Sequence, residues 1–307
     1  MNYNGIYKPY RMSGLLQRFR MTLDMIKFEH SIFALPFALT GALLAFRDGG
    51  YRGDNLGWKL VWIVVAMVGA RSAAMTFNRI ADAAIDAKNP RTESRQLPSG
   101  QLSVAFAWGF LLAAAAIFFA ASAMLNRLCL LLSPLALACV LLYSYTKRFT
   151  SLAHMALGFC LGIAPSAAWI AIRGSYDARM LWLTAAVTFW TAGFDIIYSC
   201  QDFEFDRREG LFSVPGKFGI ARALLLSRAL HAAMLICLGA LVIVFALGWL
   251  AWAGVAAIAA LLVYEHRMVS PADLSRVNAA FFAVNGYVSV LFFAFWATDI
   301  LIFRSAS

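Results

Sequence analysis

Nine apolar stretches recur along the 307 residues, at about 31–46, 58–77, 104–124, 128–145, 152–172, 181–200, 222–243, 246–264 and 279–303. Most are long enough to cross a hydrocarbon core of about 30 Å, which takes roughly 20 helical residues. A backbone in hydrocarbon must satisfy its own polar groups, so stretches of this kind are read as helices. The expected fold class is all-α: a polytopic integral membrane protein with nine transmembrane helices. Composition agrees, because 62% of residues are hydrophobic and 14% charged, well outside the usual range of soluble domains. The expected organisation is an N-terminal segment, 1–30, followed by one transmembrane domain, 31–307. That domain reads as two four-helix-like halves, about 31–150 and 151–264, plus a ninth helix.

The net charge of +10 does not imply nucleic acid as a partner, since the basic residues sort by side of the membrane. With the N-terminus inside, the inner segments carry seventeen Lys and Arg residues and the outer segments seven. The positive-inside rule then places the N-terminus in the cytoplasm of a cell whose inner membrane holds the chain. Some 30 polar and basic residues precede the first span, which is not the pattern of a cleavable signal. The five cysteines lie scattered in apolar segments without CxxC spacing, so buried thiols are expected rather than disulfides or a zinc site.

Acidic residues contribute little to topology, and theirs is the informative pattern. Asn78, Asp82 and Asp86 continue the second span at i, i+4 and i+8. Each step drifts only about 40° around the helix, so the three share one face. Arg71, two turns deeper, falls on the same face; an arginine at that depth is expected to face the bundle interior or a polar cavity rather than lipid. At the end of the sixth span Asp195, Asp202 and Asp206 form a second stripe. Both stripes emerge on the same, cytoplasmic side.

Adjacent carboxylates on one helix repel, so a cation is expected to offset them. Hard oxygen ligands suit Mg2+, which is commonly shared between carboxylates and substrate phosphates. Arg91, Arg95, Lys147, Arg148, Arg207 and Arg208 surround the stripes in the sequence and are read as a clamp for the remaining phosphate charge. The rings near these stripes along the chain include Tyr143, Tyr198, Phe77 and Phe194, whose faces can stabilise a nearby cation.

The strings NRIADAAID with PRTESRQLPSG after it, and DFEFD with GLFSVP after it, resemble the UbiA superfamily of membrane prenyltransferases. The resemblance covers essentially the whole chain. It implies that Asp motifs hold Mg2+ ions bridging a polyprenyl diphosphate, whose allylic cation is attacked by an aromatic ring. Carried over, Asn78, Asp82 and Asp86 match the first motif, Asp202 and Asp206 the second, and Asp195 a further acidic position. Lys147 in YSYTKRFT resembles a basic residue near the phosphates. Many relatives carry Asp directly after the first-motif Asn, where this chain has Arg79. That position is about 100° off the ligand face and is expected to add a phosphate contact.

The string MIKFEHSIFALPFALTGALLA with NRIADAAID is most similar to the 4-hydroxybenzoate-transferase-like branch. Its acceptors would be 4-hydroxybenzoate, in ubiquinone synthesis, or 1,4-dihydroxy-6-naphthoate, in menaquinone synthesis. Arg71 is the expected partner of an acceptor carboxylate, and Lys27, Glu29 and His30 lie at the mouth of the first span, with Lys27 and His30 expected to touch the acceptor. Other superfamily acceptors such as haem or chlorophyllide stay open. A transporter would place its polar groups near the bilayer midplane, whereas these acids sit at one surface. A soluble chain-elongating enzyme would not have nine apolar stretches.

Overall fold

The computed structural model describes residues 14–26, 34–49 and 56–302. The helices are α1 (Leu15–Met25), α2 (Leu35–Gly49), α3 (Leu56–Asp86), α4 (Val104–Leu125), α5 (Arg127–Thr146), α6 (Ala153–Arg173), α7 (Met180–Ser199), α8 (Phe203–Glu209), α9 (Val214–Phe218), α10 (Ile220–Val244) and α11 (Trp249–Met268). A short α12 (Val277–Ala279) runs through a π segment, Ala280–Val284, into α13 (Asn285–Ile302). Among the described residues, eight helices are long and apolar enough to cross a membrane.

The expected first span is the exception. It corresponds to α2, whose described part has 15 residues, about 22 Å at 1.5 Å per residue. Residues 27–33 and 50–55 on either side lie outside the described residues, so eight of the nine expected spans are matched among the described residues. Pro36 sits in the first turn of α2 and is buried, a position where a missing N–H costs nothing. The helix buries Phe37, Ala38, Ala42, Leu44 and Ala45.

The helices follow one another around a ring: α3 packs on α4 and α5, α5 on α6, α6 on α7, α7 on α10, α10 on α11, α11 on α13, and α13 on α2, which returns to α6. In hydrocarbon the contact between helices comes from close packing rather than from water exclusion, which favours small residues at the seams. The seams here follow that rule. A Cβ built on Gly158 would lie 2.3 Å from the Thr188 carbonyl oxygen, and one on Gly41 would lie 2.3 Å from that of Pro165. These glycines let α6 approach α7, and α2 approach α6. Large residues such as Leu131, Leu135, Ile236 and Ile243 point outward, as a lipid-facing surface requires.

Helix ends inside this packing are satisfied by side chains, which an apolar solvent demands. Asn126 caps α5 by accepting from the Cys129 N–H at 2.8 Å, while its Nδ2 donates to the Ile170 carbonyl at 2.8 Å. Lys59 Nζ donates to the carbonyls of Ala171 and Ile172, both at 3.1 Å. Gly174, with φ +71°, then ends α6 in the left-handed conformation that favours glycine.

Candidate active site

The helix α3 does not stop where its apolar run stops. It continues through Asn78, Asp82 and Asp86, and its last residue is Asp86. Asp82 and Asp86 are buried, 2% and 5% exposed. Each meets a basic partner from elsewhere. Lys147, at the end of α5, puts Nζ 2.7 Å from Asp82 Oδ2. Arg148 lies 3.8 Å from Asp82 Oδ1 and donates to the Ala81 carbonyl. Arg95 NH1 donates to both oxygens of Asp86, at 2.8 and 2.7 Å. Asn78 Nδ2 donates to Asp82 Oδ2 at 3.2 Å, holding the carboxylate on the shared face.

The second stripe comes from α7 and the turn into α8. The loop after α3 reaches across to it. Arg91 forks onto Asp202, with Nε 2.9 Å from Oδ1 and NH2 2.5 Å from Oδ2. Its NH1 donates to the Tyr198 hydroxyl at 3.2 Å. Asn89 Nδ2 adds a hydrogen bond to Asp202 Oδ1 at 3.0 Å, while its Oδ1 accepts from the Arg91 N–H at 3.0 Å. That last bond is an Asx turn, which fixes the loop as it leaves α3. Burial pulls the Arg91 pKa down, but the bonds to Asp202 outweigh it and hold the value above normal. The two acidic motifs thus form one site, and Lys147 joins them physically: its carbonyl accepts from the Phe212 N–H at 2.8 Å.

Asp195 has a partner that sequence reading missed. His154 Nδ1 lies 2.6 Å from Asp195 Oδ2, and His154 Nε2 accepts from the Val214 N–H at 3.3 Å. A ring nitrogen that accepts carries no proton, so the proton sits on Nδ1 and is donated to Asp195. His154 is buried on α6. Asp206, also buried, lies on α8, and its carbonyl accepts from Leu211 N–H at 2.9 Å. Asn89, Ser144, whose Oγ lies 3.5 Å from Asn78 Nδ2, and His154 are contacts of the acidic cluster unseen in sequence. Only the Asn-Pro at Asn89, a turn-forming pair, offered a clue.

Five of the residues expected near the phosphates or the cation make other contacts: Arg79, Arg207, Arg208, Phe77 and Phe194. Arg79 does not point its Nε toward the carboxylates; it donates to the Met25 carbonyl at 3.2 Å and is buried, so it braces the end of α1 against α3. Arg207 is exposed and stacks over the Phe203 ring at 5.5 Å, outside the ion pairs of the cluster; Arg208 does likewise over Phe205 at 5.8 Å. Phe77 packs edge-on against Trp108 and Tyr145, on the α4–α5 side of α3. Phe194 sits in the core between Trp190 and Phe281. Tyr198 lies tilted on Phe281 at 4.3 Å, with the Arg91 guanidinium 5.4 Å from its centroid. Lys27, Glu29 and His30 lie outside the described residues.

A cavity of about 230 Å3 runs along α3 between α4, α5 and α6. Arg71 and Tyr143 line it, as do Met67, Phe118, Leu161 and Ala164. Met75, the last α3 residue in the lining, is seven residues before Asp82, so this end of the cavity lies about 10 Å below the acidic cluster. The opposite end reaches Leu125, Cys129 and Ala171. Charged groups therefore crown an otherwise apolar channel.

The carboxylates fit a hard divalent cation. Asp82 Oδ1 is buried without a hydrogen-bond partner, and the surrounding acceptors are carboxylate oxygens, the donor set that Mg2+ prefers.

The model of the UbiA prenyltransferase family matches residues 34–301. A 4-hydroxybenzoate octaprenyltransferase of Shewanella piezotolerans is 29% identical over 244 residues, covering 80% of this chain and 84% of that protein. A protein of the same name from Shewanella woodyi is 33% identical over 160 residues, 52% of this chain and 56% of its own length. Among solved structures, a UbiA homolog from Aeropyrum pernix superposes with a TM-score of 0.79 at 39% identity, covering 89% of this chain and 98% of that one. A UbiA homolog from Archaeoglobus fulgidus bound to DMAPP and Mg2+ shares the fold, with a TM-score of 0.70 at 20% identity over 92% of this chain and 99% of its own. On the match over residues 34–301 and the shared fold, the chain belongs to the UbiA prenyltransferase family, a family of membrane transferases.

Proposed function

We infer that this protein moves a polyprenyl group from a polyprenyl diphosphate to a small aromatic acceptor, 4-hydroxybenzoate or 1,4-dihydroxy-6-naphthoate, in ubiquinone or menaquinone biosynthesis. The observation that carries this reading is the joining of two acidic stripes, each already paired with bases, over the end of an apolar cavity. A diphosphate head needs the first and its hydrocarbon tail needs the second. The names of the Shewanella relatives favour 4-hydroxybenzoate among the acceptors.

Asn78, Asp82, Asp86, Asp195, Asp202 and Asp206 are the residues that hold Mg2+ in this reading. When bound, it neutralises charge on the diphosphate leaving group. Lys147, Arg148, Arg91 and Arg95 are placed to bind phosphate oxygens by exchanging a carboxylate for them, and electrostatic neutralisation of this kind lowers the barrier to C–O cleavage. His154 holds the Asp195 carboxylate in one orientation. Tyr143, in the cavity wall, and Tyr198, beside Arg91, present rings to the allylic cation. Arg71, in the same wall, is suited to an acceptor carboxylate. The apolar lining excludes water, which would otherwise capture the cation. The site opens toward the side rich in Lys and Arg, the cytoplasmic face of the inner membrane by the positive-inside rule.

The test is prenyl transfer by the purified protein in detergent with Mg2+ and a polyprenyl diphosphate, offered 4-hydroxybenzoate and 1,4-dihydroxy-6-naphthoate side by side. Product from one acceptor identifies the route. Asp82→Asn and Asp202→Asn are expected to abolish it in folded protein; activity retained in both variants overturns the assignment.

A further inference from the structure

A second cluster of ligating side chains lies apart from the acidic motifs, between α10 and α11. His231 Nδ1 is 2.9 Å from His266 Nε2 and 3.5 Å from Glu265 Oε2. One ligand atom from each of the three lies within 4.8 Å of the others. His231 is 2% exposed and Glu265 is 0% exposed. Glu265 Oε2 has no hydrogen-bond partner. A fully buried carboxylate oxygen without a partner is costly, and it faces the two imidazole nitrogens.

The outer contacts of these residues match those of metal ligands. A ligating histidine characteristically donates its remote N–H to a carbonyl or carboxylate, which fixes the tautomer. His231 Nε2 lies 3.3 Å from the Trp190 carbonyl, so its proton is placed there and Nδ1 is left with a lone pair. Glu265 Oε1 accepts from Asn285 Nδ2 at 2.8 Å, and Asn285 Oδ1 accepts from Trp190 Nε1 at 2.8 Å. One oxygen is therefore anchored and the other left over. His266 lies in the last turn of α11 and is only half-buried, which gives an ion a route in from the end of the helix.

We propose that His231, Glu265 and His266 form a binding site for a borderline divalent transition ion such as Zn2+, distinct from the Asp motifs. Two imidazoles and a carboxylate suit such an ion better than Mg2+. Ligand atoms of a tetrahedral zinc site stand about 3.3 Å apart; the spacings from His231 are 2.9 and 3.5 Å, and the Glu265–His266 pair lies within 4.8 Å. Three protein ligands leave one coordination position for water or a small ligand. The ion ties α10 to α11, and through Asn285 it reaches the π segment, since Asn285 Nδ2 also donates to the Ala280 and Phe281 carbonyls at 3.3 and 3.2 Å.

The experiment loads the full-length protein in detergent with Co2+ or Zn2+, removes loose metal by dialysis, and reads metal content together with the visible absorption of bound Co2+. The expected result is about one retained equivalent with the intense bands of a four-coordinate ion. His266→Gln and Glu265→Gln lose it, while Asn285→Ala weakens binding about 10- to 100-fold. Asp202→Asn, which alters the other acidic cluster, leaves the spectrum unchanged. Size-exclusion profiles confirm that the variants are folded. Failure of the parent protein to retain metal, or equal retention by parent, His266→Gln and Glu265→Gln, overturns the site. Loss of the Co2+ bands in Asp202→Asn alone also overturns it, by assigning the ion to the Asp motifs.

Discussion

Lys147 Nζ lies 2.7 Å from Asp82 Oδ2, so the ammonium at the end of α5 neutralises a carboxylate on α3 that is 3% exposed. The pair is separated by 65 residues. A buried carboxylate stripped of its partner carries an uncompensated charge.

Lys147→Ala is expected to raise the KM for polyprenyl diphosphate by about tenfold or more, an order set by losing a charge-assisted contact. Lys147→Arg keeps the charge and recovers part of the effect. Steady-state kinetics with donor and acceptor varied separately check this; an unchanged donor KM in Lys147→Ala would assign Lys147 to structure alone.

His154→Ala is expected to lower transfer about 10- to 100-fold, the usual cost of removing a partner that orients a ligand, and to shift the Mg2+ titration to higher concentration. His154→Asn should recover much of both, because its Nδ2 replaces the Nδ1–H that Asp195 accepts. If alanine and asparagine behave alike while the Mg2+ dependence stays put, His154 does not act through Asp195.

Arg71→Ala is expected to raise the acceptor KM about tenfold or more with little change in the donor KM. An effect confined to the donor moves Arg71 to the phosphate clamp. Comparison of acceptors with and without a carboxylate sharpens the reading.

Chelation by EDTA is expected to stop turnover, and added Mg2+ to restore it, if the carboxylate oxygens hold a hard cation. Turnover that persists in excess EDTA would remove Mg2+ from the mechanism.

Gly158→Ala is expected to destabilise the bundle by about 1–3 kcal/mol through overpacking, since the added Cβ meets the Thr188 backbone 2.3 Å away. Thermal or denaturant unfolding in detergent reads this directly. A variant as stable as its parent would mean that the α6–α7 seam yields.

Much of this was legible from residue spacing. The acidic stripes follow from steps of four, and of seven and four, on a helix, and Asp82, Asp86, Asp195, Asp202 and Asp206 all lie on α3 or on α7 and its continuation as expected. Eight of the spans also followed among the described residues, because hydrocarbon length is a strict ruler. What spacing cannot reveal is which base meets which acid. Arg91 and Asp202 are 111 residues apart, and His154 and Asp195 are 41. Nor does spacing reveal that Arg79 Nε donates to the Met25 carbonyl or that the Arg207 guanidinium stacks over the Phe203 ring. The histidines of α10 and α11 were silent for the same reason: His231 stands alone in its apolar run, and His266 follows one, between Glu265 and Arg267.

Because Asp82, Asp86 and Asp202 each hold a base already, a metal ion that drew on those paired oxygens would compete with an ammonium or guanidinium, and a diphosphate that drew on the bases would compete with a carboxylate. Either one bound singly leaves unmatched charge behind; together they exchange partners and leave none. Each ligand therefore raises the affinity for the other by the same factor, and calorimetric titration with either alone should register far weaker binding than with both.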